Sequence, residues 1–435
     1  MALTHHNIPG PKSAELLALS NQYEPLSMAD QVPVVLDHAK GVWIYDVDGN
    51  KYLDFTSGVL VTNIGHSHPK HVEAIRQQSG RLMNCYSFPT AERIELSKRL
   101  VELLPENLDR AFLLTTGAEA TEAAIRIAKR YSGKHEILGF SGAFHGRTYG
   151  AMSVAGNVGT RRKFGPPVPG GIIAPYAYCY RCVYDKKYPD CNFYCVKALD
   201  RVVESSSSGD LGTVITEPYQ GGAGFINPPS GWLKELEKWA KERGLLLIID
   251  EVQSSFGRTG KMFAVEWEGV APQMICIGKG IGSGMPISAL VGEHKIFETM
   301  KPGEMSSTTG GNPLASAAAI AVIDIMKEED LPAKARTIGE YLHTRLQELK
   351  QKYEFIGDAR GIGLAQGLEI VKSKESKTPA PEITLRIIRI AASYGLMMGR
   401  VGFYGNVIRI APPLVITEQE CDLGIAMLDK VMSEI

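Results

Sequence analysis

The sequence predicts an α/β fold: a mostly parallel central sheet with helices on both faces, joined to a smaller α+β lobe. Three observations predict it. From Arg110 to about Val291, short apolar strands alternate with helical stretches such as Ala118 to Tyr131 and Gly231 to Arg243, the pattern of strands buried on both faces by crossover helices. Two of these strands, Leu245 to Ile249 and Met274 to Ile277, run directly into Asp250 and, after one glycine, Lys279. Open α/β sheets bind ligands outside the carboxyl ends of their strands, so both residues point to the crevice. Finally, 435 residues with 44% hydrophobic content suffice for one large core plus one or two smaller lobes.

Taken in order, the chain opens with a segment, Met1 to Lys12, that carries two histidines and two prolines but lacks the apolar run of a secretory signal. A hairpin follows, because Gly41 to Tyr45 and Lys51 to Phe55 flank the turn Asp46-Val47-Asp48-Gly49-Asn50. The strand Ala111 to Leu114 gives way to Thr116-Gly117-Ala118 and a helix. Ser205 to Gly209 reads as a loop before the strand Thr213 to Thr216. After Pro313 a long Ala-rich helix, broken near Leu331-Pro332, leads into the tail. There the pattern gives strands at Ile362 to Ile370 and Asn406 to Ile410, and helices at Ile383 to Ser393 and Thr417 to Met432.

Composition narrows the function classes. A formal net charge of -1 offers no electrostatic footprint for nucleic acid or an anionic membrane. No stretch approaches the roughly 18 uninterrupted apolar residues of a membrane span. Seven cysteines in 435 residues do not resemble a secreted disulfide scaffold. The expectation is a cytoplasmic enzyme acting on small molecules.

Lys279 closes an apolar strand and precedes Gly280-Ile281-Gly282-Ser283-Gly284. A lysine partly desolvated there has a lowered pKa, which frees its amine to attack an aldehyde. Asp250, 29 residues upstream, is placed to hold a pyridine nitrogen protonated and so let the ring draw electrons from a substrate carbanion. The pair suggests pyridoxal phosphate. Its phosphate is expected at the helix start, where the amides of Gly117 and Ala118 face outward and glycine allows close approach. Arg147 and Arg409 present guanidinium forks suited to carboxylates.

Thr116-Gly117-Ala118-Glu119-Ala120, Gly142-Ala143-Phe144-His145-Gly146-Arg147, Glu217-Pro218, the Asp250 cluster, Lys279, Thr308-Thr309-Gly310-Gly311-Asn312-Pro313 and Arg409 together resemble, in type and order, the class III, omega-type aminotransferases of the fold type I pyridoxal phosphate enzymes. The likeness runs from about Val35 to the end, and its nearest pattern is that of 4-aminobutyrate aminotransferases. It implies an amino-terminal segment 1–69 shared with the small lobe, a large cofactor-binding domain 70–315 and a carboxyl-terminal domain 316–435. The resemblance also implies that Phe144 stacks on the ring with Val252 on its other face, His145 supports Phe144, Gln253 bonds the phenolic oxygen, and Thr308 reaches a neighbouring subunit's phosphate in a dimer or dimer of dimers. It assigns Val59, Arg147, Glu217 and Arg409 to substrate, with Glu217 pairing Arg409 until an α-carboxylate displaces it. The implied reaction is ping-pong transfer from an omega-amino acid to 2-oxoglutarate. Amino-acid racemases and lyases resemble the same scaffold.

One feature departs from many members of that family. Cys179-Tyr180-Arg181-Cys182 is followed after eight residues by Cys191-Asn192-Phe193-Tyr194-Cys195. Four thiolates suffice for zinc or an iron–sulfur cluster, and the competing reading is a loop of reduced or disulfide-linked cysteines.

Overall fold

The computed structural model describes residues 5–28 and 32–435, so the first four residues of the amino-terminal segment lie outside it. Near the amino terminus, β1 (Leu36–Lys40), β2 (Trp43–Asp46) and β3 (Lys51–Asp54) form an antiparallel ladder. The hairpin β2–β3 matches the sequence expectation. β1, whose residues are mostly exposed, carries too weak an apolar pattern to be foreseen.

The central sheet has seven strands: β4 (Arg110–Leu114), β5 (Glu136–Phe140), β6 (Gly171–Ala174), β7 (Leu211–Thr216), β8 (Leu246–Asp250), β9 (Met274–Ile277) and β10 (Ser288–Gly292). Their spatial order is β4-β10-β9-β8-β7-β5-β6, with only β10 running against its neighbours. β5, β7, β8, β9 and β10 are buried at every residue, which explains why they read as continuous apolar runs. Helix Gly117–Ser132 buries Ala120, Ala124, Ile127 and Ala128 along one stripe. It is capped by Thr116 and Glu119 at its start and by left-handed Gly133 at its end.

The tail adds β11 (Ile356–Ile362), β12 (Ala365–Ile370), β13 (Leu396–Met397), β14 (Gly399–Val401) and β15 (Val407–Ile410). The sheet order β11-β12-β15-β14 corrects the single expected strand at Ile362 to Ile370: Gly363, at φ +54, turns the chain into a hairpin there. β13 pairs in parallel with β3, so chain from both termini shares one small sheet. The Ala-rich helix spans Pro313–Glu328. Asp330, at φ 48, breaks it before a second helix, Leu331–Lys352.

Gly339 lies in that second helix, and a Cβ there would meet the backbone of Gly363 at 2.3 Å. Alanine improves helix propensity by about 1 kcal/mol, but forcing two backbone segments apart costs about 1–3 kcal/mol. Gly339→Ala is therefore expected to lower the melting temperature in a thermal melt.

Candidate active site

β8 and β9 are parallel neighbours in which Asp250 stands opposite Cys276, so Lys279 emerges beside Asp250 at the same sheet edge. Asp250 is buried. Its Oδ2 lies 2.7 Å from Nδ1 of fully buried His145, and its Oδ1 accepts from the Val252 N–H at 3.0 Å. Burial opposes the imidazolium, but the hydrogen bond and charge of Asp250 outweigh it and raise the His145 pKa. The sequence reading placed His145 behind Phe144. The structure also shows it bound to Asp250, a contact that residues 105 positions apart could not announce.

Lys279, left-handed at φ 49, is half-buried. Burial lowers its pKa against the opposing charges of Asp250 and Glu217, with Arg409 acting in the same direction as burial. The expected desolvated amine is therefore present.

The residues fit the cofactor they suggest. The cap at Thr116 uses the N–H of Glu119, and the Glu119 carboxylate takes those of Thr115 and Thr116. The amides of Gly117 and Ala118 remain at the mouth of the helix, suited to a phosphate. A Cβ at Gly117 would strike Val252 at 2.7 Å, and one at Gly278 would meet it at 3.0 Å, so both glycines make room for the Val252 side chain. Gln253 Oε1 and His145 Nε2 are buried without a hydrogen-bond partner. Such atoms cost free energy unless a ligand engages them.

The guanidinium of exposed Arg147 lies 5.7 Å from the Phe144 ring centre. Arg409, on β15, passes beside Gly399 of β14, where any Cβ would meet its guanidinium at 2.3 Å. Val59, Arg400 and Arg409 line a chamber of about 390 Å³. Thr308 is exposed, in a loop whose Thr309 approaches Thr115 of the same chain at 3.2 Å.

Two expectations are corrected. Glu217 does not pair with Arg409: its two oxygens accept the N–H groups of Phe144 at 3.0 Å and Gly221 at 3.1 Å. Backbone donors have taken the place of the guanidinium. The four loop cysteines line one cavity of about 20 Å³, but all are free thiols, and among the described residues no three His, Cys, Asp or Glu side chains converge as metal ligands. Burial, with the neighbouring thiols, pushes Cys179 up and Cys195 up to about 11. The loop is held instead by Arg181, which bonds Glu369 at 2.6 Å.

Sequence reasoning missed Glu251. Its fully buried carboxylate accepts Ser254 Oγ and the N–H groups of Ala264 and Val265. Burial pushes it up to about 7 against those three donors. The folded state then binds its proton up to about pH 7, whereas the unfolded chain releases it near 4.5. Stability falls as pH rises through that window, by about 3 kcal/mol for this group. Glu251→Gln is expected to flatten the decline of melting temperature between pH 5 and 8 by a corresponding amount.

The profile of the family described as "Aminotransferase class-III" matches residues 27–432. A leucine/methionine racemase of Thermococcus litoralis is 35% identical over 96% of this chain and 94% of its own. A 4-aminobutyrate aminotransferase of Mycobacterium leprae is also 35% identical, over 98% and 97%. An amine transaminase from an uncultivated Pseudomonas species, solved in its PLP-bound form, superposes with a TM-score of 0.88 at 29% identity, covering 92% of this chain and 95% of that one. The geometry of Lys279 and Asp250 and these likenesses agree: the chain belongs to the class III, pyridoxal-phosphate-dependent aminotransferase family.

Proposed function

We propose that this protein moves an amino group from an omega-amino acid such as 4-aminobutyrate to 2-oxoglutarate, in two half-reactions on one site. The observation that carries the reading is the placement of Lys279 and Asp250 on adjacent strand ends, with His145 locked onto Asp250. Pyridoxal phosphate supplies an aldehyde that bonds amines covalently and a ring that accepts electrons when its nitrogen is protonated. The amides of Gly117 and Ala118 would hold the phosphate, Phe144 and Val252 would confine the ring between apolar surfaces, and Gln253 would bond the phenolic oxygen. Asp250, oriented by His145 and the Val252 N–H, favours the proton on the ring nitrogen. The Lys279 amine would act as the base that takes a proton from the substrate carbon and as the acid that gives it back.

Donor class is supported by the chamber. Val34, Ile44, Val59 and Met397 give it aliphatic walls, and Arg400 and Arg409 are among its lining residues. An unbranched chain with a carboxylate at one end suits both features. A second copy of the chain, with its exposed Thr308 reaching across, is the proposed functional assembly. Racemisation is the second reading, favoured because the racemase and the aminobutyrate aminotransferase are equally similar to this chain, at 35% each.

Incubation with single amino acids, with and without 2-oxoglutarate, separates the two readings. Glutamate is expected to accumulate from 4-aminobutyrate only when the acceptor is present. Inversion of an amino acid without acceptor, as the main activity, would reject transamination. Arg409→Lys removes one of two parallel N–H···O bonds to a carboxylate and is expected to raise the KM for 2-oxoglutarate roughly tenfold in steady-state kinetics.

A further inference from the structure

We propose that Glu217 is a positioning residue of the cofactor site: one buried carboxylate clamps the Phe144 loop to the Gly221-Gly222 turn, fixing the side chain expected on the ring face and the one expected at the ring edge. This inference rests on the proposed role of Lys279 and deepens it.

The argument begins with backbone bookkeeping. Glu217 follows directly after β7, between the carboxyl ends of β5 and β8, and is only 5% exposed. Its Oε1 accepts from the Phe144 N–H at 3.0 Å and its Oε2 from the Gly221 N–H at 3.1 Å. The Glu217 residue is itself anchored, because its carbonyl accepts from Tyr176 and Thr216 hydroxyls, both at 3.1 Å. The clamp therefore has a fixed base and two fixed arms.

What the arms hold matters more. A Cβ at Gly221 would fall 1.5 Å from Gln253 Oε1, so that backbone lies directly against the Gln253 amide. A Cβ at Gly222 would lie 3.1 Å from the Phe144 Cβ. The turn thus abuts Gln253 and Phe144 together, and Glu217 ties both loops to the sheet. Its charge also acts on His145 and Lys279, and it feels Asp250 in turn. Burial pushes Glu217 up to about 7, and the Phe144 and Gly221 N–H groups oppose that rise.

The test uses Glu217→Gln, which is nearly isosteric, and Gly222→Ala, which presses on Phe144 from the opposite side. Both are compared with wild type as full-length protein loaded with pyridoxal phosphate. The readouts are the induced circular dichroism of the bound cofactor's absorption band, the melting temperature, and the separate kcat and KM for the amino donor. Both variants are expected to fold with near wild-type melting temperature, to change the induced signal and to lose kcat, Glu217→Gln roughly tenfold, the size of one charged hydrogen bond, with donor KM little altered. A raised donor KM with the induced signal intact would return Glu217 to substrate binding and overturn the proposal. So would a lowered melting temperature alone, and so would an unchanged signal in both variants. If Glu217→Gln does not fold, the signal of Gly222→Ala decides. A wild-type protein with no cofactor band overturns the Lys279 reading and this one together, whereas wild-type binding with indifferent variants overturns only this one.

Discussion

The parallel register of β8 and β9 is the constraint on which the site depends. Hydrogen-bonded strands lie about 4.8 Å apart, and with Asp250 opposite Cys276 the two chains leave the sheet side by side. A slip of one residue would send Asp250 to the opposite face of the sheet. The slip is resisted by complete burial of both strands on both faces, since every side chain would move from a packed site to a mismatched one. The chemistry of Lys279 is thus secured by Ile248, Ile249, Ile275 and Ile277, none of which touches a reacting atom. Burial also sets the electrostatics, because the low-dielectric surroundings that lower the Lys279 pKa raise those of Glu217 and Glu251.

A second constraint joins the small sheets to the large one. Arg258 is fully buried, and its guanidinium donates to the carbonyls of Leu364 and Pro412, to Ser57 Oγ and to Asn63 Oδ1. These partners come from the amino-terminal segment and from the tail on either side of β15. A buried arginine needs partners for its donors, and here neutral oxygens from separate segments engage both terminal nitrogens, while Nε is buried without a partner. They in turn shape a single left-handed turn, Ser57 to Leu60, with φ between 49° and 67°. That conformation is costly for Val59, a β-branched residue. The strain is balanced by Asp54, whose Oδ1 accepts from the N–H groups of Thr56 and Ser57, and by Ser57 Oγ, which donates to the Ala411 carbonyl at 2.6 Å. The result holds Val59 at the chamber wall.

The large sheet and its strand-end residues were legible because the signals are local. A continuous apolar run followed by Asp250, or by Gly278-Lys279, states both the strand and the polar group at its end. The same holds for helix Gly117–Ser132, whose Thr116 cap and left-handed Gly133 are written within 18 residues. Legibility failed where contacts are distant or partners are backbone. Nothing near Glu217 in the chain announces that the N–H of Phe144, 73 residues away, will satisfy it. Of the hairpin β11–β12 only the second strand is legible, in the expected Ile362 to Ile370, because β11 carries Gly357, Asp358, Arg360 and Gly361 and lacks a continuous apolar run. The cysteine spacing suggested a metal, but spacing along the chain does not fix how side chains converge, and among the described residues no three such groups meet as metal ligands.

This division between local and distant signals bears on why proteins so similar to this one carry the names of racemases and aminotransferases alike. The groups proposed to handle protons, Asp250 and Lys279, stand at strand ends of the large sheet, fixed by strand register. The chamber walls come from elsewhere: Ile44 on β2, Val59 in the left-handed turn, Met397 on β13 and Arg409 on β15. All four belong to the small sheets or to the turn held by Arg258, and none is hydrogen-bonded into the β8–β9 ladder. A methylene gained or lost at such a wall changes substrate preference by about 1–3 kcal/mol. The same change leaves Asp250, His145 and Lys279 where they are. Donor choice can therefore drift while the proton chemistry persists, and motifs drawn from the large sheet report the second without fixing the first.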